Sequence, residues 1–581
     1  MKKILILLVF SGSIILSGCK KFLDTKDLTE KTNSTFPISA TDYDQAIAAV
    51  YSAQRDCHFD QINSFLGISS YLDDDYVAGG RALFDDPMIR AFERYQVRNL
   101  DQFLVPWQNY YKGIFRANFV LQSLEQNNNT LSALEKASYA GQAHYLRAAL
   151  YFDLCRLFGG VPLKTSTASS NPARSSVDSC FSLIASDLKS AIDLLPATTF
   201  QSVNKTSGFF NASKWAAEAL MGRVFLFYTG AYSKAELPMV DGTSVAKSKV
   251  LDYLHDVINN SGYKLIDDFR NLWLYSMANV DYKYAKDNNL SWIGEKGNNT
   301  ECLYMIPFSG LGTNNAWDRF QNSVSCSVPG ILPFGNGSGM SAVNPNTYQN
   351  WDDNDLRKAG SIWNVMDNAT EGIAFSATAA PNSGKFYFNG QSNVEETGFM
   401  QKKYCHIYVM VNGKRTAANT VINGIATKGN TNDATVGQYI MRFSDVLLMA
   451  AELGSPNAQV YFDMVRSRAY FKNFGNTPIG GTPYYKPVTL ANIQDERRHE
   501  FAFEGIRWYD MQRWKIAAQE IAINKTNIPV YKFAVPETIT IKYRPETNGL
   551  LPIPQSQINL SNGVLTQNPG WSGNEGIYSG I

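Results

Sequence analysis

Residues Ala143–Pro162 read AHYLRAALYFDLCRLFGGVP, and the fold is decided here. From residue 132 onward, Ala140, Ala143, His144, Arg147, Leu150, Leu154 and Leu157 recur at three- and four-residue steps, the spacing that lines one helix face. Gly159-Gly160-Val161-Pro162 then ends the helix at 158, because Gly closes a helix in the left-handed conformation and Pro cannot continue it. Upstream, residues 103–125 repeat the pattern with Trp107, Tyr110 or Tyr111, Ile114, Asn118 and Leu121. Further helices are predicted at about 43–51, 176–194, 211–229 and 246–258. Helices of this length with short breaks stack as antiparallel pairs. No strict 34-residue consensus recurs, so a tetratricopeptide-like solenoid is suggested by pattern alone.

Between about 265 and 435 Asn, Gly, Ser, Thr and aromatics dominate, with short β-like pieces at Glu301–Ile306 and Lys403–Met410. A structureless loop of that length is improbable in a compact domain, so a loop-rich subdomain with small hairpins is expected. Helices return at about 437–453, 456–470, 490–504 and 505–518, followed by an extended, turn-rich tail. The expected class is mainly α: tetratricopeptide-like helix pairs forming a superhelical scaffold, with an irregular loop-rich subdomain carrying short β-hairpins. The segments expected are a signal peptide at 1–18, a tether at 19–40, a helical part at 41–264, a ligand-binding insertion at 265–435, and a helical part with its tail at 436–581.

The chain has 581 residues, a net charge of +1 and 18% charged residues. Nothing in that balance favours nucleic acid, whose binders concentrate Lys and Arg. Its 33 Phe, 31 Tyr and 10 Trp serve a large core, with some available to stack on a ligand. Lys2 and Lys3 precede an apolar run from Ile4 to Leu16, too short to span a bilayer and typical of a secretory signal. Leu16-Ser17-Gly18-Cys19 resembles a bacterial lipobox, which makes Cys19 the acylated N-terminus of an exported, lipid-anchored protein. The other six cysteines are scattered without a CxxC pair and read mostly as buried thiols; Cys302 could pair with Cys326, but spacing does not fix connectivity.

The densest charge lies in Glu496–Trp514, ERRHEFAFEGIRWYDMQRW. His499-Glu500 begins like a zinc-protease helix, but the second His belongs at 503, where Phe503 stands. On a continuous helix Arg497, Glu500, Glu504 and Arg507 share a face, and Arg507 lies three residues from both Glu504 and Asp510. The stretch therefore reads as a structural charge ladder rather than a metal or catalytic site. Asp73-Asp74-Asp75 and Asp352-Asp353-Asn354-Asp355 miss the calcium-loop spacing and read as solvated loop acids. No GxSxG or phosphate loop occurs, and five His leave little for His-dependent chemistry. Trp317, flanked by Gly and amides, offers either a platform for a sugar face or a pin for its own loop.

Several motifs together resemble the SusD/RagB family of Bacteroidetes outer-membrane nutrient-binding lipoproteins. They are the lipobox at Cys19, Trp107–Asn118, Ala143–Pro162, Ser186–Pro196, Glu496–Trp514, and Leu551–Asn559 leading to Gln567-Asn568-Pro569. His144 and Asp445 depart from residues usual in the family. The resemblance implies a non-catalytic lipoprotein without cofactor or metal. It also implies a lid on a SusC-like TonB-dependent transporter that passes on glycans or peptides. Ligand residues in relatives come from the segment before the Trp107 helix and from the middle insertion. By position this points to Asp73, Asp75, Arg81, Tyr95, Asn99, Trp317 and Phe320. The leading expectation is an oligosaccharide-binding surface lipoprotein; a lipid-anchored glycoside hydrolase and a helical interaction module without a small ligand are the alternatives.

Overall fold

A computed structural model describes residues 36–59, 64–79, 87–126, 129–203, 210–294, 298–307, 333–334, 342–376, 385–388, 395–405, 407–423, 437–471 and 479–580. The N-terminal half is built on helices α1 (Ala40–Phe59), α2 (Phe65–Leu72), α3 (Pro87–Glu93), α4 (Leu104–Leu124), α5 (Ala133–Phe158), α6 (Val177–Leu194), α7 (Lys214–Ala231) and α8 (Lys247–Asn260). Helix α5 starts at a capping box, with Ser132 and Glu135 each satisfying the other's backbone N–H. It ends at Gly159, whose φ of 76° closes the helix. Arg174 locks that end by donating from Nε to the Gly160 carbonyl at 2.7 Å and from Nη2 to the Phe158 carbonyl at 3.0 Å. Helix α5 packs between α4 and α6, α1 against α4, and α7 between α6 and α8. Phe152, Phe181 and Phe227 interlock the inner faces of α5, α6 and α7, with ring centroids 5.7–6.2 Å apart.

The strands are short. Strand β1 (Tyr76–Val77), β3 (Ala342–Val343), β5 (Phe399–Gln401) and β4 (Ile362–Asn364) form one antiparallel sheet in that order. It ties the N-terminal segment to the middle of the chain. Strand β2 (Cys302–Ile306) pairs with β8 (Gln438–Arg442). A hairpin of β6 (Tyr408–Val411) and β7 (Lys414–Ala417) turns on Asn412-Gly413, both at positive φ, as its two-residue turn requires. The C-terminal part adds α9 (Phe443–Glu452), α10 (Ala458–Tyr470), α11 (Leu490–Glu500), α12 (Arg507–Arg513), α13 (Ala517–Asn524), a hairpin of β9 (Ile528–Lys532) and β10 (Val535–Ile539), and α14 (Gln555–Leu560).

Three sequence expectations are corrected. The helix expected at 437–453 is strand β8 followed by α9, because residues 438–442 have an edge to pair with in β2. The helix expected at 490–504 ends at Glu500, and the one expected at 505–518 is split into α12 and α13. Phe503 (φ 67°) and Gly505 (φ 76°) turn the chain between α11 and α12, so no continuous ladder runs from Arg497 to Arg507. At a φ of 76° Gly505 suits the position where a side chain would be strained, and a Cβ would also press on Leu66 Cδ1 at 2.7 Å. Cys57, Cys155 and Cys180 are buried thiols, and Cys302 and Cys405 are buried; Cys326 lies outside the described residues. Among the described residues no helix is long and apolar enough to cross a membrane.

Candidate ligand-binding site

Successive residues of a helix point about 100° apart, so Glu496, Arg497 and Arg498 cannot share a face. Each feeds a different buried ion network. Glu496 and Glu500, one turn apart, enter the first. There Arg357 bridges Asp355, Glu496 and Glu500, and Arg442 bridges Glu301, Glu500 and Glu504. Arg468 joins Glu301 to Glu500, Arg466 reaches Glu496 at 2.8 Å, and Lys403 reaches Glu504 at 2.8 Å. All ten are buried, and their five cations and five carboxylates balance. Burial would raise the Glu500 carboxyl, but Arg468, Arg442 and Arg357 outweigh it and hold it below the usual range. Lys403 is pulled down to about 8 by burial, against the pull of Glu504.

Arg497 enters the second network, donating to Asp510 at 2.8 Å and pairing with Asp445, which also holds Arg223. Arg513 links Asp510 to Glu452. Arg498 and Arg507 enter the third, converging on Asp74 at 3.0 and 2.8 Å; Arg498 also binds Asp75, and Arg507 binds Glu520. Arg507 therefore does not pair with Glu504 or Asp510, which the ladder reading required. His499 stacks on Trp351 with ring centroids 4.6 Å apart. Among the described residues no group of three or more His, Cys, Asp or Glu side chains is set to hold a metal ion. The stretch is scaffold.

Those networks decide where the sequence-predicted site residues stand. Asp73, Asp74 and Asp75 are buried, which corrects their reading as solvated acids; so is Asp355, on Arg357. Asp75 accepts from Arg498 at 2.8 Å and from Thr347 at 3.1 Å, and Asp73 accepts the Asp75 backbone N–H. Burial, then the neighbouring Asp75 and Asp74, push the Asp73 carboxyl well up. Tyr95 is buried, donating its hydroxyl to the Leu72 carbonyl at 3.0 Å, with Tyr543 edge-on to its ring. Asn99 is exposed and caps its own turn through the Asp101 N–H. Arg81, Trp317 and Phe320 lie outside the described residues, as does Cys19. The structure thus brings Asp73, Asp75 and Tyr95 together beneath the surface and leaves Asn99 on it.

Sequence reasoning missed the corner where α3, residues 395–396 and the β9–β10 hairpin meet. Arg94 donates to Glu93 at 3.1 Å and to Glu395 at 3.0 Å, while Lys532 reaches Glu395 at 3.3 Å. Burial and then the adjacent Glu395 raise the Glu93 carboxyl to about 8, and Arg94 lies between the two carboxyls. Glu396 exchanges backbone hydrogen bonds with Tyr531, whose ring stacks on Phe388 at 3.9 Å. Phe533 stands 51% exposed at the hairpin tip. No local signal announces this corner, because its parts come from three distant segments.

A family model described as the SusD family matches residues 332–571, and one described as "Starch-binding associating with outer membrane" matches residues 21–226. Together they span more than half of the chain. "SusD-like protein P2" of Formosa agariphila is 26% identical over 486 residues, covering 80% of both chains. A SusD-like protein of Bacteroides ovatus is 24% identical over 537 residues, covering 88% of this chain and 82% of the relative. Among solved structures, a "Laminarin binding SusD-like protein" superposes with a TM-score of 0.65 at 22% identity, over 92% of this chain and 100% of its own. Surface glycan-binding protein A from Bacteroides thetaiotaomicron, in complex with laminarihexaose, gives 0.65 at 19% identity, over 91% and 99%. The two family matches follow each other along the chain, and the relatives and superposed structures cover most of its length: the chain belongs to the SusD/RagB family.

Proposed function

We propose that the protein is an outer-membrane lipoprotein, anchored through Cys19 and facing outward, that binds an oligosaccharide and delivers it to a SusC-like TonB-dependent transporter. The observation that carries this reading is the match of both halves to SusD-type models, one of them described as starch-binding and associated with the outer membrane. Structural neighbours named as laminarin-binding and surface glycan-binding proteins support the carbohydrate part. Ligand contact is assigned to Arg81, Asn99, Trp317 and Phe320, with Asp73, Asp75 and Tyr95 bracing the surface from below. The protein acts by binding, not by catalysis. Glu93 and Glu395, an adjacent acid pair, are both buried and both held by Arg94, a structural rather than a catalytic arrangement. Affinity electrophoresis and calorimetry across a glycan panel test the reading. Saturable glycan binding without released sugars is expected, with copurification of a barrel partner. Tight binding to peptides alone, or hydrolysis of the bound glycan, refutes it.

A further inference from the structure

A cleft of about 430 Å³ opens on the helical scaffold, between α4, the segment that follows α5, and α14. Its size falls in the range of small-ligand sites, roughly 300–1,000 Å³. Trp107 and Tyr111 form its aromatic wall, and Gln108, Lys112, Lys164 and Gln557 are its principal polar groups. No carboxylate lines it.

The polar groups in this wall are fixed in place yet mostly unspent. Trp107 is 3% exposed, held edge-on to Phe158 at 5.1 Å, and its indole N–H donates to nothing among the described residues. Tyr111 is pinned by its hydroxyl, which donates to the Pro162 carbonyl at 2.8 Å. The Lys164 backbone is clamped: its N–H donates to the Tyr151 hydroxyl at 2.7 Å, and its carbonyl accepts from Asn118 at 2.9 Å. Its ammonium has only the Tyr111 ring, 5.9 Å away, and no carboxylate among the described residues. The side-chain amides of Gln108 and Gln557 make no hydrogen bond among the described residues. Lys112 is partly neutralised by Asp56 at 3.1 Å.

We propose that this cleft is a second saccharide site, distinct from the loop site, that takes an anionic sugar unit bearing a carboxylate or a sulfate ester. The ring stacks its C–H face on Tyr111, which Trp107 backs from within the core at a ring-centroid distance of 5.1 Å. Its anionic group sits on Lys164, and its hydroxyl oxygens accept from Trp107 Nε1 and the glutamine amides. The absence of lining carboxylates disfavours a cationic ligand, and the volume exceeds what an inorganic anion fills. The saccharide part rests on the glycan-binding reading above; the charge preference rests on the cleft alone.

Calorimetry with tetragalacturonate, a sulfated carrageenan-type tetrasaccharide and neutral cellotetraose tests it, on wild type, Lys164→Gln, Trp107→Phe and Trp317→Ala, each first checked for folding by circular dichroism. Wild type should bind at least one charged probe, and the one bound identifies carboxylate or sulfate as the group recognised. Affinity should fall about tenfold in Lys164→Gln and several-fold in Trp107→Phe, stay unchanged in Trp317→Ala, and weaken between 50 and 200 mM salt less steeply in Lys164→Gln than in wild type. Failure of wild type to bind either charged probe overturns the inference. So does charged-probe binding that neither Lys164→Gln nor Trp107→Phe alters. Loss of neutral-glycan binding everywhere, with Lys164-dependent charged binding intact, sinks the loop-site reading and leaves this one standing.

Discussion

Replacing Glu500 tests the claim that the charged stretch is scaffold. Its carboxylate accepts from Arg357 at 3.0 Å and from Arg442 at 2.7 Å, and it pairs with Arg468; all four are buried. Removing it leaves five cations facing four carboxylates in a dry interior. Breaking a buried pair costs about 3–5 kcal/mol, most of it from the stranded partner. With three arginines affected, Glu500→Ala belongs at the upper end, about 5 kcal/mol. An unfolding entropy of about 2.1 cal/mol/K per residue, over the roughly 460 described residues, makes that a drop in Tm of about 5 °C. Glu500→Gln should lose most of the same amount, because the amide keeps the volume and not the charge. Adding Arg442→Met to Glu500→Ala restores the balance, so the double variant should lie well short of the sum of the single effects. Calorimetric melting at neutral pH measures all three. A Glu500→Gln protein melting within about 1 °C of wild type would refute the reasoning.

Arg507→Ala should destabilise by about 3 kcal/mol, the lower end for a broken buried pair because Asp74 keeps Arg498 at 3.0 Å, read as a lower Tm; substituting Glu504 for comparison should leave Arg507's own network intact. Gly160→Ala should prevent stable folding or lower Tm sharply, because its Cβ would stand 2.3 Å from the Ser175 carbonyl oxygen; a normal melting curve would contradict this. Glu93, raised to about 8, holds its proton in the folded state and releases it on unfolding above its ordinary pKa of 4.5. Its contribution is therefore complete below pH 4.5 and is lost as pH rises through about 8, so Tm should fall from pH 6 to 9. Glu218, also near 8 through burial, acts in the same direction, so Glu93→Gln should flatten that slope without abolishing it; an unchanged slope counts against the acid pair. Trp317→Ala should weaken glycan binding with Tm unchanged; a lowered Tm at constant affinity would make Trp317 core.

What the sequence made legible divides along the range of the interactions. Helix α5 is read to within a residue, because its period and its Gly159 stop are both local. Strand β8 is not, since five residues ahead of a helix look helical until β2 is known to lie alongside. The same limit explains Asp73–Asp75. Three consecutive acids in a Gly-rich stretch suggest solvent, but Arg507 meets Asp74 across 433 residues of chain, and Arg498 meets Asp75 across 423. Nor does charge balance give a hint: residues 497–513 carry four arginines against three acids, a surplus of one beside three acids at 73–75.

The pairing also bears on how the proposed ligand surface is held. Asp74 and Asp75 precede strand β1, whose sheet contains β3, β4 and β5 from the middle of the chain. Arg498 and Arg507 belong to C-terminal helices at the other end of the same network. The third network therefore fastens the root of the segment leading to residues 80–86 to the C-terminal helices, and the first, through Glu301 and Arg357, fastens the middle of the chain to α11. Dense buried charge suits that task, because a mispaired arrangement would leave an ion stranded at a cost of several kcal/mol, whereas apolar contacts tolerate slippage. Substitutions in Glu496–Trp514 should thus alter ligand affinity only alongside stability, whereas substitutions in the ligand loops should alter affinity alone.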